Sequence, residues 1–372
     1  MHYYPNLEKT DLGQYFSPDE FEKLKKVEQQ FPFHSNEYYL SLLSSVDARD
    51  PIRNIIIPDT RELTSEGSYD PSSEQSFTVL PGVQHKYPQT ALLLVNRTCA
   101  GICRFCFRKR LFDMGRKEET CDISNATEYL SEHHEVNNVL LSGGDPLMLQ
   151  PKRLDEILSK LRELAHIPLI RIGTKVPAYD PHRILDNQEF SEVLKKHSYP
   201  DKKIYVVTQF NHPVELTSEA KESVAIVKNT GVEVINQTPV IRGVNDDPDV
   251  LASLFTKLTQ IGNSPYYAFQ CRPTVGNRHM SVPIEETLRI IDAARKQCNG
   301  LAKRVRYIMS HKTGKIEIVG RTKQHMVMKY HQVADESDRD KMLFFKPNPD
   351  AYWLEDYRFS LSDVVSKMSW MF

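Results

Sequence analysis

Three cysteines lie close together in a stretch that reads NRTCAGICRFCFRKR, from residue 96 to residue 110. Cys99, Cys103 and Cys106 form a C-x3-C-x2-C array directly after an apolar run. Three thiolates at this spacing can bind three of the four irons of a cubane iron–sulfur cluster and leave the last iron open. The array therefore predicts a cluster with one iron available to a small molecule.

A zinc site and a disulfide framework fit the chemistry of the array less well. A structural zinc site uses four ligands, often in two separated pairs, whereas the next cysteine, Cys121, has no cysteine beside it. A disulfide framework is disfavoured because six cysteines are sparse in a chain of 372 residues. The opening sequence MHYYPNLEKTDLGQ also lacks the zones of a signal peptide. Zinc and inert thiols remain the alternatives to a cluster.

A second set of polar residues follows another short apolar run, as Ser142, Gly143, Gly144 and Asp145. Glycines let the backbone approach a ligand closely, and a hydroxyl beside a carboxylate can bind an ammonium group or hydroxyls. The same residue types dominate tight turns. Taken alone, the motif fits a turn between a strand and a helix better than a ligand site.

The charge balance favours small-molecule chemistry. The chain has 48 basic and 49 acidic residues, a formal net charge of −1, so no overall field attracts nucleic acid or an anionic membrane surface. No apolar run approaches the roughly 20 residues that span a bilayer. We therefore expect no nucleic-acid or membrane partner, and a location in the reducing cytoplasm, which also suits a cluster.

From residue 90 onward, short β-rich runs alternate with amphipathic stretches long enough for crossover helices, such as 154–164 and 218–228. Six such βα units predict an α/β fold whose parallel sheet is rolled into an open, partial (β/α)6 barrel. A doubly wound open sheet is the alternative. The barrel is favoured because polar and glycine-rich residues follow the strands, where such barrels build their sites. The predicted strands are Thr90 to Val95, Asn138 to Leu141, Pro168 to Ile172, Lys203 to Thr208, Val232 to Asn236 and Tyr266 to Gln270.

We divide the chain into an N-terminal helical arm (1–80), a barrel core (81–300) and a C-terminal extension (301–372). In the arm, Ser17-Pro18-Asp19-Glu20 has the pattern of a helix start. The residues from Tyr38 to Leu43 are too apolar to remain in water, so we expect the arm to pack on the core rather than hang loosely.

The extension begins with two apolar runs around a turn-like hexapeptide, Ser310 to Lys315. This pattern predicts a strand, a loop and another strand, over Arg304 to Met309 and Ile316 to Val319. The last fifty residues become aromatic, with Trp370 and Phe372 near the end. We expect them to cover the barrel rather than form a separate domain.

With Phe105 before its last cysteine, the array resembles the signature of the radical S-adenosylmethionine (SAM) superfamily, in which the open iron binds SAM. The turn from Ser142 to Asp145, one strand later, resembles the motif that binds the amino group of SAM. Over most of its length the chain further resembles one branch, the lysine 2,3-aminomutase family. The residues that carry this resemblance include Phe31-Pro32-Phe33, His85-Lys86-Tyr87-Pro88, the cysteine loop with Arg108-Lys109-Arg110, Ser142-Gly143-Gly144-Asp145, Arg171-Ile172-Gly173-Thr174, Phe210-Asn211-His212-Pro213, Asn236-Gln237, Gly243-Val244-Asn245-Asp246 and Gln270-Cys271.

The resemblance implies an isomerase with a [4Fe–4S] cluster, SAM and pyridoxal 5′-phosphate (PLP) that moves an amino group between C2 and C3 of an amino acid. The C3 hydrogen is unactivated, so a base of ordinary pKa cannot remove it as a proton, whereas a carbon radical can take it. The resemblance also implies that Gln237 contacts SAM. Gln209 stands where the family has a histidine, so that contact changes.

For PLP, the resemblance implies Lys315 as the lysine that binds the cofactor covalently, preceded by Gly314. The family has a run of glycines before this lysine, and this chain does not. Lys312 is therefore a competing candidate. Lys86 and Tyr87 match the pair that binds the PLP phosphate.

For the substrate, Arg108 matches the family arginine that binds the carboxylate, and a solvated basic cluster is the alternative. Lysine-specific members use two aspartates for the distal ammonium group, and the matching positions here are Arg272 and a position near Ile308. An arginine repels a second cation. We therefore expect an acidic substrate such as glutamate, unless Arg272 pairs internally with Glu285 or Glu286 or binds a cofactor.

Several functions remain open at this point. They are a lysine 2,3-aminomutase, a radical SAM enzyme without PLP, and a non-catalytic iron–sulfur electron carrier or sensor. The enzyme would need an amino acid and an external electron donor of the flavodoxin or ferredoxin type. A homo-oligomer is compatible with the resemblance, but no cysteine follows Cys298 to supply the family's interface zinc.

Overall fold

The computed structural model of the protein describes residues 1–47, 49–112 and 119–357. Trp370 and Phe372, which we expect to cover the barrel, lie outside these ranges. A small two-stranded sheet joins β1 (Tyr3–Tyr4) and β2 (Ser35–Asn36) in the arm. The main sheet contains β3 (Thr78–Leu80), β4 (Val83–Tyr87), β5 (Thr90–Asn96), β6 (Asn138–Gly143), β7 (Leu169–Thr174), β8 (Ile204–Thr208), β9 (Glu233–Val240), β10 (Ser264–Gln270), β11 (Arg306–His311), β12 (Gly314–Arg321), β13 (Met326–Val333) and β14 (Met342–Phe345).

The helices lie in the arm and between the strands. No helix in the described ranges is both long and apolar enough to cross a membrane. The α-helices are α1 (Pro18–Gln30), α2 (Glu37–Ser41), α3 (Pro51–Ile56), α4 (Ile123–Glu132), α5 (Pro151–Arg162), α6 (Val176–Tyr179), α7 (His182–Leu185), α8 (Gln188–His197), α9 (Ser218–Asn229), α10 (Pro248–Gln260) and α11 (Ile284–Gln297).

The strands from β5 to β11 pair in parallel and lie side by side in chain order. Parallel neighbours need a crossover connection. Helices α4 to α11 lie in the six connections between these strands. The outermost strands of the main sheet are β3 and β14, which do not pair with each other within the described ranges. The predicted α/β class with an open, parallel-rich sheet is confirmed, and each of the six predicted strands has an observed counterpart.

The core forms between the sheet and its crossover helices. Leu154 and Leu158 of α5 are fully buried against strand residues such as Val139 and Ile172. Burying a leucine or isoleucine side chain contributes about 1.5–3 kcal/mol. This packing holds the carboxyl ends of the parallel strands at one edge of the sheet, where the loops that follow them meet.

The N-terminal arm packs tightly on the core, as predicted. Helix α1 begins with a capping box, in which Ser17 and Glu20 each accept a backbone hydrogen bond from the other. Tyr39 is fully buried and donates a hydrogen bond to Glu215 Oε1 at 2.6 Å. Ile55, also fully buried, belongs to the same apolar cluster as Phe105 of the cysteine loop. The arm therefore supports the cysteine loop.

The C-terminal extension differs in part from the prediction. Its first two strands, β11 and β12, form the expected antiparallel pair. The following residues then add β13 and β14 to the sheet, where we predicted only a cover over the barrel. In strand β13 the buried Met326 and Met328 lie on either side of the less buried Val327, a pattern typical of a strand with one face in the core.

Candidate functional site

One cavity lies at the carboxyl edge of the parallel strands. Apart from Lys312, the residues singled out from the sequence as cofactor, substrate or cluster ligands contribute to its lining. These residues are Cys99, Cys103, Cys106, Phe105, Arg108, Ser142, Gly143, Gly144, Asp145, Gln237, Lys86, Tyr87, Arg272 and Lys315. The structure thus brings the predicted residues together, whereas their individual roles depend on the contacts described next.

The cysteine loop follows β5, and its three thiols face the cavity. None of them forms a disulfide. Burial raises the pKa of Cys103 to about 12, and burial likewise raises the pKa values of Cys99 and Cys106. Buried thiols of this kind become thiolates when a metal compensates their charge. A cluster of three converging cysteines therefore fits an iron–sulfur group better than it fits inert thiols.

The glycines of the turn after β6 pack against the cysteine loop. Gly143 has a φ of +113°, and a Cβ atom there would lie 2.3 Å from the carbonyl oxygen of Asn96. A Cβ atom on Gly144 would lie 2.5 Å from the carbonyl oxygen of Thr98. Gly144 N also donates to Asn96 O at 2.6 Å. The two glycines thus permit a close approach between two loops of the protein.

Asp145 has a positioning role in this structure. Its carboxylate accepts hydrogen bonds from Thr174 Oγ1 at 2.8 Å and from the backbone N–H of Lys175 at 2.6 Å. It also accepts from the N–H groups of Leu147 and Val176. These bonds tie the turn after β6 to the end of β7. The carboxylate predicted to bind SAM is therefore already occupied within the fold.

The basic residues after the cysteines are buried and paired, so the alternative of a solvated basic cluster is wrong. Arg104 donates to Glu62 Oε1 at 2.8 Å, and Lys109 Nζ lies 3.1 Å from Glu62 Oε2. Arg110 pairs with Glu74. Sequence reasoning missed both glutamates because they lie in irregular parts of the arm. The one signal in the sequence was the run of three cations itself, because buried cations need carboxylate partners.

Arg108 lies in the cavity but its guanidinium is already engaged. Nε and Nη2 donate to the two carboxylate oxygens of Glu74 at 3.0 and 2.8 Å, and Nη1 donates to Ser142 Oγ at 2.8 Å. A bidentate pair of this type is what a substrate carboxylate would form. These bonds use three of the five N–H groups of the guanidinium, so a substrate carboxylate would bind Arg108 through the remaining hydrogens of Nη1 and Nη2 or by displacing Glu74.

Arg272 differs from Arg108 because part of its guanidinium has no hydrogen-bond partner. Its guanidinium stacks on the ring of Phe107, 3.5 Å from the ring centroid, and its Nη1 is buried without a hydrogen-bond partner. The alternative that it pairs with Glu285 or Glu286 is wrong, because these glutamates pair with Arg321 and Arg242 respectively. A buried guanidinium N–H without a partner is costly, so this position suits an anionic ligand.

Lys315 and Lys312 lie on different sides of the β11–β12 hairpin. Lys315 lines the cavity, with Nζ 5.7 Å from the ring centroid of Tyr87 and 5.4 Å from that of Tyr267. Lys312 is exposed in the turn and pairs with Glu355 at 3.0 Å. Burial, and then the charges of Arg171, Arg272 and Lys86, lower the pKa of Lys315 to about 7. A lysine of this kind is a good nucleophile near neutral pH.

The cavity around Lys315 is rich in positive charge. Lys86 Nζ donates to the carbonyl oxygen of His311 at 2.6 Å, and burial and Arg272 lower its pKa to about 8. Arg171, which sequence reasoning did not assign to the site, donates to Asn138 Oδ1 at 3.0 Å. Unlike the arginines beside the cysteines, Lys86, Arg171 and Lys315 form no ion pair with a carboxylate of the described residues. The surroundings of Lys315 therefore fit a phosphorylated aldehyde such as PLP, which would be held covalently by Lys315 with its phosphate near Lys86 and Tyr87.

Comparisons with known proteins identify relatives of this chain. A model of the radical SAM superfamily matches residues 93–254. A protein of Aquifex aeolicus, provisionally named an L-lysine 2,3-aminomutase, is 47% identical over 94% of this chain and 94% of its own. The L-lysine 2,3-aminomutase of Methanococcus maripaludis is 36% identical over 78% of this chain and 67% of its own. The glutamate 2,3-aminomutase of Clostridioides difficile is 35% identical over 76% of this chain and 66% of its own.

Proposed function

We propose, on the premise that the chain belongs to the lysine 2,3-aminomutase family of the radical SAM superfamily, that it is an isomerase with a [4Fe–4S] cluster, SAM and PLP. The proposed reaction shifts an amino group between C2 and C3 of an amino acid with an acidic side chain. When bound, SAM supplies a carbon radical that can take the C3 hydrogen, and PLP supplies a π-system that stabilises the unpaired electron.

One observation carries the proposal: the three cysteines and Lys315 line the same cavity. An electron carrier or sensor has no need of a nucleophilic lysine in the cavity that holds its cluster, and a radical SAM enzyme without PLP has no need of one either. Lys315 has a pKa of about 7 for a physical reason, its burial among cations. These features together favour an enzyme that uses both cofactors.

The substrate class follows from the charges of the cavity. Within the described ranges, its acidic lining residues are Glu74 and Asp145. Glu74 is taken by Arg108 and Arg110, and Asp145 by Thr174 and backbone N–H groups. Neither is free to pair with the distal ammonium group of lysine. The cationic lining residues are Lys86, Arg108, Arg171, Lys175, Arg272 and Lys315.

In this proposal a few residues of the cavity bind the substrate and PLP. Arg272, with its unpaired Nη1, binds the side-chain carboxylate of the substrate. Lys315 holds PLP, and Lys86 and Tyr87 hold its phosphate. Glu74 keeps Arg108 oriented towards Ser142 until a substrate carboxylate competes for it.

The test is an assay of product formation by the anaerobically reconstituted protein with SAM, PLP and a low-potential electron donor of the flavodoxin or ferredoxin class. Glutamate and lysine are supplied separately, and β-amino acid products are separated by chromatography. Faster conversion of glutamate than of lysine is expected. Faster conversion of lysine would favour the second candidate, a lysine 2,3-aminomutase, which the names of the relatives support. Consumption of SAM without a β-amino acid from either substrate would contradict the acidic-substrate assignment.

Replacement of Arg272 tests the substrate assignment at one residue. Arg272→Gln is expected to raise the KM for glutamate by about 10- to 100-fold, because a charged hydrogen bond contributes about 1.5–3 kcal/mol. The matched control is Arg278→Gln, since Arg278 is nearly half exposed and stacks on Tyr352 outside the cavity. An unchanged KM in Arg272→Gln would show that this arginine does not bind the substrate.

A further inference from the structure

Tyr179 lies at the end of helix α6 with its hydroxyl directed at the cysteine array. Its Oη atom is 3.1 Å from the Sγ atom of Cys103. The side chain is 2% exposed. A tyrosine phenol of ordinary pKa keeps its proton at neutral pH, so Tyr179 can act as the donor towards the sulfur.

Several contacts fix the ring of Tyr179 in this position. The ring of Tyr39 packs against it with 4.1 Å between centroids, and Lys175 Nζ lies 4.9 Å from its centroid. The backbone N–H of Tyr179 donates to the carbonyl oxygen of Lys175 at 2.8 Å. On the cysteine loop, a Cβ atom at Gly101 would lie 3.0 Å from the ring, so the loop leaves space for it. Contacts from Tyr39, from Lys175 and from the cysteine loop thus fix the hydroxyl at the sulfur of Cys103.

The three cysteines differ in their hydrogen bonds. Within the described ranges, Cys103 is the member of the array with a side-chain hydroxyl at its sulfur. Hydrogen bonds to the sulfurs are among the factors that set the reduction potential of an iron–sulfur cluster. The contact of Tyr179 is therefore placed where it can affect electron transfer.

We propose that Tyr179 raises the reduction potential of the cluster by donating a hydrogen bond to the Cys103 thiolate; this inference rests on the cluster of the proposed function. Reduction adds one electron, which comes from a low-potential flavodoxin- or ferredoxin-type donor and stays on the cluster, while the proton stays on Tyr179. The added negative charge spreads onto the cysteine sulfurs. A hydrogen-bond donor stabilises that charge, so the reduced form becomes easier to reach.

The test is a redox titration of the reconstituted protein, followed by electron paramagnetic resonance of the reduced cluster, without SAM. Tyr179→Phe removes the hydroxyl and keeps the ring, so its midpoint potential is expected to be more negative than that of the wild type. The matched control is Tyr39→Phe, because Tyr39 packs against the same ring but donates to Glu215 rather than to sulfur. Its midpoint potential is expected to stay close to that of the wild type.

Iron and sulfide analysis separates failure of the inference from failure of the proposed function. A wild-type protein that binds no cluster would overturn the proposed function itself. If the wild type binds a cluster, an unchanged or more positive potential in Tyr179→Phe would overturn the role of Tyr179. Should Tyr179→Phe not retain a cluster, 3-fluorotyrosine placed at residue 179 decides instead. Its more acidic phenol is a stronger donor and should shift the potential to a more positive value, and no shift would overturn the inference.

Discussion

Lys312 and Lys315 lie three positions apart in one hairpin, yet their side chains have different surroundings. Lys315 lies on β12 and faces the cavity, while Lys312 lies in the turn and is exposed. Gly314 makes this possible, because a Cβ atom there would lie 2.2 Å from the carbonyl oxygen of Gln332 on β13. The glycine that the resemblance retained is therefore needed for strand packing as well.

The depressed pKa of Lys315 predicts a pH dependence for PLP binding. Only the neutral amine attacks the aldehyde, and with a pKa of about 7 its population rises as the pH rises through neutrality. The rate of PLP attachment should increase roughly tenfold between about pH 6 and pH 8 and then level off. Stopped-flow absorbance of PLP measures this rate. A rate that keeps rising towards about pH 10 would indicate an ordinary, solvated lysine.

At the scale of the element, the turn after β6 joins two loops that carry the site. Gly143 packs on the backbone of Asn96 with a positive φ. Gly143→Ala is therefore expected to destabilise the fold by about 1–3 kcal/mol through backbone strain alone, and to reduce iron binding after reconstitution. Chemical denaturation and iron analysis measure the two effects.

Gly300→Ala is the matched control for that experiment, because nothing lies within 4 Å of the position that its Cβ atom would take. It should leave stability and iron content close to those of the wild type. Equal behaviour of the two variants would mean that the turn tolerates a side chain, and that its packing on the cysteine loop has no consequence for the site.

The regular elements of the barrel could be predicted from the sequence, because alternation of apolar strands with amphipathic helices depends on local patterns. Strand β8, for example, begins at Ile204, one residue after its predicted start. The cavity could be located because its residues follow those strands. The roles proposed for Lys315 and Arg272 start from the resemblance, because spacing alone does not indicate them.

The contacts that define the site could not be predicted in the same way. Glu62 and Glu74 approach the cysteine loop from irregular segments of the arm, which carry no periodic signal. The use of Asp145 as a link between β6 and β7 depends on four donors that converge only in three dimensions. Long-range pairings of this kind follow from the tertiary fold rather than from any local pattern.

At the scale of the whole molecule, the arm and the core are joined by buried ion pairs. Glu62 is fully buried and pairs with both Arg104 and Lys109 of the cysteine loop. Glu62→Gln is expected to reduce the free energy of unfolding by about 3–5 kcal/mol, because it leaves two buried cations without their counter-charge. Urea denaturation measures the change.

The control is Glu66→Gln, which removes an exposed glutamate that lies 3.6 Å from Arg278. Exposed pairs contribute about 0–1 kcal/mol, so this variant should unfold at nearly the wild-type urea concentration. A similarly small effect of Glu62→Gln would show that the arm is not held to the cysteine loop by this glutamate.

The central claim is that one cavity combines an iron–sulfur cluster with PLP bound to Lys315. The most direct test is borohydride reduction of the reconstituted protein with PLP, followed by peptide mapping of the protein, with Lys312→Ala and Lys315→Ala as matched variants. We expect a phosphopyridoxyl group on Lys315 in the wild type and in Lys312→Ala, and its loss in Lys315→Ala. A modification found on Lys312 alone, or none in the wild type, would contradict the claim.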